Sequence, residues 1–319
     1  MKALVLEDIN RLKIKEIPVP QVNEDQVLLK VFTCSLCRTD AKMYQQGQRD
    51  LVLPRVLGHE ICGRIDGDKF IVWPGNSCKN CEMCQTGQEN LCDEMQVLGF
   101  HCDGGLAEYV CVSKECLFPV PESLPENIAC MAELLACGIN ALEMANVFKG
   151  QSVLIYGGGA AGLLMALAAL SRDAKPYILE INPDKLKKSK AFRRETGIED
   201  VSNDMQFDVA INAASSIETL TDGISRVKKG GTFCIYSGFT GDSSVSSKLL
   251  NEIHYRQLTL IGAYGCKSNQ MKEALDILDK YQSQVRLLIE EIINLEQVPE
   301  ALERVLSGHV FKYVVEFNK

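Results

Sequence analysis

Cys78, Cys81, Cys84 and Cys92 stand in a C-x-x-C-x-x-C-x7-C arrangement. Two-residue gaps let the backbone turn so that successive sulfurs converge on one point, as a tetrahedral ion with four thiolate ligands requires. Structural zinc is the first reading, and an iron–sulfur cluster is the alternative that spacing leaves open. The polar neighbours Lys79, Asn80, Glu82, Gln85 and Thr86 argue against four merely buried thiols. A second constellation is Cys37-Arg38-Thr39-Asp40, with Gly58-His59-Glu60 and Glu133. A soft thiolate, an imidazole and a carboxylate drawn from separate segments suit an open catalytic zinc site that keeps a position for water or substrate. Taken singly, a Cys and a His are more often a core residue and a surface residue.

The third constellation is Gly157-Gly158-Gly159-Ala160-Ala161-Gly162, a G-x-G-x-x-G between an apolar run and a helical stretch. Its glycines permit a tight turn and close backbone approach. The helix that follows offers amides and partial positive charge to a pyrophosphate. Glu180 lies about twenty residues further on, where a carboxylate binds the adenosine ribose hydroxyls and repels the extra phosphate of NADP. Asn182 and Pro183 follow rather than an arginine pair, so NAD is favoured, with Lys185 opposing that preference.

These residues need elements to hold them. The first part of the chain alternates in short runs, Gln26 to Phe32 and Gly105 to Val112, between Gly and Pro signals, which predicts a β-rich domain. From about Glu133 apolar strands alternate with helical stretches. The expected strands are Ser152 to Tyr156, Tyr177 to Leu179, Asp208 to Asn212, Thr232 to Tyr236 and Leu258 to Ile261; helices are expected over Ala160 to Leu170 and Lys185 to Arg194. Such alternation predicts a parallel sheet with helices on both faces. An amphipathic segment, Gln270 to Tyr281, and a strand, Phe311 to Phe317, close the chain.

At 319 residues the chain suffices for two domains, and 46% hydrophobic content fits a folded protein. A net charge of −8 argues against nucleic-acid or anionic-membrane partners; the Lys185, Lys187, Lys188, Lys190 face reads as solvated helix. Fourteen cysteines, many isolated in apolar stretches, point to a reducing compartment, hence the cytoplasm. Met1 to Glu7 lacks the features of a signal peptide. Val153 to Leu170 imitates a membrane span, but Gly157, Gly158, Gly159 and Gly162 interrupt it where a strand should become a helix.

With these motifs in order, the chain resembles the zinc-dependent medium-chain dehydrogenases, the alcohol, sorbitol and threonine dehydrogenase group, over nearly its whole length. Asp103-Gly-Gly-Leu-Ala-Glu-Tyr109 and Glu133-Leu-Leu-Ala-Cys137 are further landmarks. The resemblance implies an α/β protein: a GroES-like catalytic domain from residues 1–134 and 265–319, and a Rossmann NAD-binding domain over 135–264, with the active site in the cleft between them. It implies two zinc ions per chain and NAD, a small-molecule alcohol substrate, and a homodimer or homotetramer. Cys37 and His59 would bind the catalytic zinc, with Glu133 in the third-ligand position as in the sorbitol and threonine branches. Glu60 would exchange onto the metal, Asp40 would orient His59, Thr39 would take the substrate's hydroxyl proton, and Arg38 would reach the cofactor phosphates. Ala213, Ala214 and Cys137 would lie near the nicotinamide.

The family that the chain resembles often has a proton-relaying His five residues after the zinc Cys; here that position is Lys42, whose ordinary pKa of about 10.4 makes it a poor base near neutrality. Glu-Leu-Leu replaces Glu-Pro-Leu at Glu133, and the segment between Glu60 and Gly67-Asp68 is short for the family. The expected reaction is hydride transfer between NAD and a secondary alcohol, polyol or hydroxy amino acid. A nucleotide-sensing or scaffolding protein without chemistry is the competing class. A zinc-free NADPH quinone or enone reductase is the third, disfavoured by the Cys tetrad and Glu180.

Overall fold

The computed structural model describes residues 1–202 and 204–317. The chain divides into two compact units, Met1–Ala136 with Lys267–Lys319, and Cys137–Cys266.

The first unit is β-rich. Its largest sheet runs Leu117–Pro119, Asp68–Val72, Glu60–Ile65, Gln26–Ser35, Lys312–Glu316, Ile289–Ile293, and Tyr109–Ser113 pairs with the early half of Gln26–Ser35. The long central strand bulges between Val31 and Thr33, which lets it serve several partners in succession. The strand expected to start at Gly105 starts only at Tyr109. A side chain on Gly104 would sit 2.1 Å from the Gly58 carbonyl, so the two glycines keep this stretch as a close-packed crossing beside the site rather than a ladder. The short segment after Glu60 proves to be a two-residue hairpin: Ile65 pairs with Asp68 across Asp66 (φ 51°) and Gly67 (φ 97°). Both turn residues have positive φ, as the turn that matches strand twist demands.

The second unit is a six-stranded, wholly parallel sheet in the order Glu199–Asp200, Lys175–Leu179, Ser152–Tyr156, Phe207–Asn212, Val227–Ile235, Thr259–Gly262. In chain sequence that order is 3-2-1-4-5-6, the doubly wound Rossmann arrangement, with its switch point between Ser152–Tyr156 and Phe207–Asn212. The Ala160–Ser171 helix carries AAGLLMALAALS and is apolar all round, because Ala160, Gly162 and every residue from Leu163 to Ala169 are buried. Strand and helix therefore split the run that imitates a membrane span. The strand expected from Thr232 begins earlier, at Val227. Lys228, Lys229 and the Gly230-Gly231 pair hide it from a pattern search, and the register slips between Phe207 and Val209 where it starts. Gly223 must lack a side chain: a Cβ there would lie 2.1 Å from the Phe233 ring at the heart of this core.

Among the described residues, the stretch 126–144 is long and apolar enough to cross a membrane, but 72% of its most apolar window is buried inside the protein. That is the burial of a core segment.

Candidate active site

Cys37 caps the Arg38–Gln46 helix, and the cap builds the site. Asp40 Oδ2 accepts the Cys37 amide at 2.9 Å, while the Cys37 sulfur accepts the Thr39 amide at 3.5 Å, a reciprocal box that fixes the thiol at the helix start. Asp40 is fully buried, and its other oxygen accepts the Gly58 amide at 3.3 Å. Gly58 has φ +97°, and a Cβ there would press on the Cys34 sulfur at 2.8 Å, so only glycine can make the turn that delivers His59. One carboxylate thus fastens the two segments that carry the sulfur and the imidazole.

His59 is 5% exposed, with the Phe100 ring edge-on at 5.3 Å between centroids. Its Nδ1 has no hydrogen-bond partner; the nearest acceptor, Asp40 Oδ1, stands 3.3 Å away. Burial lowers the pKa of this imidazole, but the Asp40 carboxylate and the Cys37 sulfur outweigh it and hold the group well above its ordinary value. Cys37, His59 and Glu60 bring one ligand atom each within 4.8 Å of one another. Glu133 opens the Ala132–Met144 helix and is not one of that trio, though its charge is felt at Lys312.

Glu60 is fully buried, and sequence reasoning missed what holds it. Lys312, 3% exposed, places Nζ 2.5 Å from Oε1 and 2.6 Å from Oε2 and donates also to the Leu36 carbonyl at 3.1 Å; Ser35 donates its hydroxyl to the same carboxylate. Burial lowers the Lys312 pKa, yet Glu60, with Cys37 and Glu133 adding, raises it overall. The signal was present. A lysine at the head of the buried run Phe311-Lys-Tyr-Val-Val315 demands a buried counter-charge.

A soft sulfur, an unpartnered buried imidazole nitrogen and a carboxylate at these separations fit zinc. A metal on the other ring nitrogen would leave Nδ1–H for Asp40, the usual support of a metal-bound histidine. The four cysteines of the tetrad likewise lie within 4.8 Å of one another. The Cys81 and Cys84 sulfurs are 3.5 Å apart, and the Cys78 and Cys81 amides point at Cys92 and Cys78 sulfurs at 3.2 and 3.4 Å. Backbone amides, that of Cys84 foremost, hold the Cys81 thiol low at about 6. A closed set of four sulfurs with amide donors aimed at them fits a structural ion.

In the second unit the Gly157–Gly162 turn fits a dinucleotide. Gly157 takes φ +105°, and a Cβ on Gly162 would lie 2.0 Å from the Gly157 carbonyl, so the helix starts hard against the turn; Gly159 faces open space. Glu180 follows the Lys175–Leu179 strand directly, as expected, and its carboxylate accepts the Gly158 and Asn182 amides, each at 2.8 Å. Lys185 Nζ stands 3.9 Å from the same group. Ala213 donates its amide to the Tyr156 carbonyl at 2.8 Å, beside the turn. Asn212, wholly buried, bonds the Ala214 and Ser237 carbonyls and the Tyr236 amide, joining the loops after two adjacent strands. Arg38, Thr39 and Lys42 lie on the helix that Cys37 caps; Arg38 is exposed, and partial burial, with Arg38 adding and Cys37 opposing, lowers the Lys42 pKa.

Residues 23–122 match the model of the alcohol dehydrogenase GroES-like domain. A zinc-type alcohol dehydrogenase-like protein of Haemophilus influenzae is 28% identical over 98% of this chain and 97% of its own length. The sorbitol dehydrogenase of Bacillus subtilis is 28% identical, covering 96% and 94%. Over nearly its whole length the chain is similar to zinc-type alcohol and sorbitol dehydrogenases. A zinc-binding dehydrogenase of the same fold from Sinorhizobium meliloti, solved bound to NADP, superposes with a TM-score of 0.89 at 25% identity over 99% of both chains. The residues matched by the GroES-like model lie in the β-rich unit and include Cys37, His59 and Glu60.

Proposed function

We propose that this dehydrogenase interconverts a secondary alcohol, of polyol, sugar-alcohol or hydroxy amino acid type, and its ketone, with NAD as hydride partner. The observation that carries the reading is the trio of half-buried Cys37 and buried His59 and Glu60, with an unpartnered imidazole nitrogen and the hydroxyl-bearing Thr39 two residues after Cys37. The sorbitol dehydrogenase likeness supports the polyol class. Cys37, His59 and a carboxylate from Glu60 or Glu133 would hold the catalytic zinc, and Cys78, Cys81, Cys84 and Cys92 the structural one. When bound, zinc would supply Lewis-acid polarisation of the alcohol oxygen and the nicotinamide would supply the hydride acceptor.

The remaining work falls to the chain. Asp40 keeps His59 oriented, Lys312 neutralises Glu60, and Thr39 Oγ1 accepts the substrate's hydroxyl proton. Gly157, Gly159 and Gly162 would receive the pyrophosphate, Ala213 would lie by the nicotinamide end, and Glu180 would take the ribose hydroxyls. A scaffolding role has no use for such a donor set.

A specific observation favours NADP as the second reading of the nucleotide: Lys185 beside Glu180 offers a cation to the extra phosphate. Assay of the zinc-loaded protein on polyols, hydroxy amino acids and simple alcohols with each nucleotide tests the proposal. Oxidation of a polyol or hydroxy amino acid in preference to ethanol is expected, and ethanol as best substrate would refute it.

A further inference from the structure

The chain enters its second unit at Cys137 and leaves it at Cys266, and the two sulfurs lie within 4.8 Å of each other. A second feature holds these ends in register. Asn140, one turn further along the helix from Cys137 and 1% exposed, donates its carboxamide to the Tyr264 carbonyl at 3.2 Å and the Gly265 carbonyl at 3.0 Å. Gly265 turns with φ +59°, which brings the chain from exposed Tyr264 to buried Cys266. The sulfurs must approach by only about 2–3 Å to reach bonding distance, within the range of a side-chain rotation. Cys137 is half-buried whereas Cys266 is 5% exposed, so a small oxidant meets Cys137 first.

We propose that Cys137 and Cys266 form a peroxide-reactive dithiol that closes reversibly into a disulfide. The Cys137 sulfur attacks hydrogen peroxide; an S–O bond forms, the O–O bond breaks, and one water leaves with the thiol proton. The Cys266 sulfur then displaces the sulfenic oxygen; the S–S bond forms, the S–O bond breaks, and the second water carries off the remaining proton. Two thiols are oxidised and one peroxide is reduced. The product ties together the first and last residues of the nucleotide-binding unit, which restricts its unfolded chain and so stabilises it.

The test uses the full-length, zinc-loaded protein, in which the tetrad cysteines are occupied, with hydrogen peroxide as probe. Intact mass should fall by about 2 Da, peptide mapping should find Cys137 joined to Cys266, and the thermal midpoint should rise by several degrees, all reversed by dithiothreitol. Cys266→Ser should instead accumulate a Cys137 sulfenic acid trapped by dimedone, and Asn140→Leu should lower the linked yield severalfold. Oxidised wild-type protein without the Cys137–Cys266 link, or a dimedone adduct on wild-type Cys137 as readily as in Cys266→Ser, would overturn the proposal. Should either variant fail to fold, mapping of the wild-type protein decides alone.

Discussion

Lys312 Nζ lies 2.6 Å from Glu60 Oε2 in a place closed to solvent, at the junction of the Lys312–Glu316 and Gln26–Ser35 strands with the start of Glu60–Ile65. The pair supplies a counter-charge to the buried side chain of a potential metal ligand. Breaking such a pair from one side leaves an uncompensated buried charge, which costs about 3–5 kcal/mol. Lys312→Met should therefore destabilise the protein by that amount in urea unfolding, and adding Glu60→Gln should recover a large part. A single variant as stable as the parent would mean that Glu60 has another counter-charge.

Zinc affinity at the catalytic site should depend on pH through His59. The folded pKa is raised above the ordinary 6.5, so protonated His59 stabilises the metal-free fold fully below that ordinary value, and the contribution disappears as pH rises through the raised one. Zinc needs the neutral ring. Its affinity should start to fall on acidification at a pH above 6.5, by about tenfold per unit further down. Asp40→Asn should move that onset to lower pH and weaken binding by about 10–100-fold. Zinc titration of a tetrad-filled protein across pH gives both quantities.

Proton transfer should rest on Thr39 more than on Lys42. Thr39→Ala should depress turnover by roughly a hundredfold or more, the scale of one positioned proton-transfer group, and Lys42→Ala by much less. The downward shift of Lys42 makes this ranking worth measuring. The reverse order would identify Lys42 as the base.

Nucleotide choice should turn on Glu180. NAD should bind more tightly than NADP in parallel titrations, and Glu180→Ala should narrow the gap by removing like-charge repulsion with the phosphate. An unchanged ratio would place the ribose elsewhere.

The two cysteine sets should fail differently. Cys84→Ser opens a four-sulfur site and should lower the thermal midpoint by several degrees with loss of one zinc equivalent. Cys37→Ser should abolish turnover while the midpoint changes far less. Loss of folding in both variants would dissolve this division of labour.

Much of this was legible in the sequence because it is written in short-range spacing. The Cys78–Cys92 tetrad and the Gly157–Gly162 turn each lie within one turn or loop, where residue type and interval determine geometry; the Asp40 box is as local, yet only the structure revealed it. Strands carrying apolar runs were legible too; of the Val227–Ile235 strand only the part from Thr232 was, since Lys228 to Gly231 break the pattern of its first half. Lys312 remained hidden because its partner lies far away in the chain, and only the antiparallel registry of three strands brings them together. Cys137 and Cys266 escaped notice for the same reason.

Asp40 has a consequence for how this chain can change over generations. Its carboxylate grips the backbone at Cys37 and at Gly58, so the distance between the sulfur and the imidazole is set by that grip and not by the residues running from Gly47 to Leu57. Lengthening a loop costs little closure entropy. The intervening segment is therefore free to gain or lose residues at its exposed positions, reshaping whatever it borders, while the metal donors stay where they are.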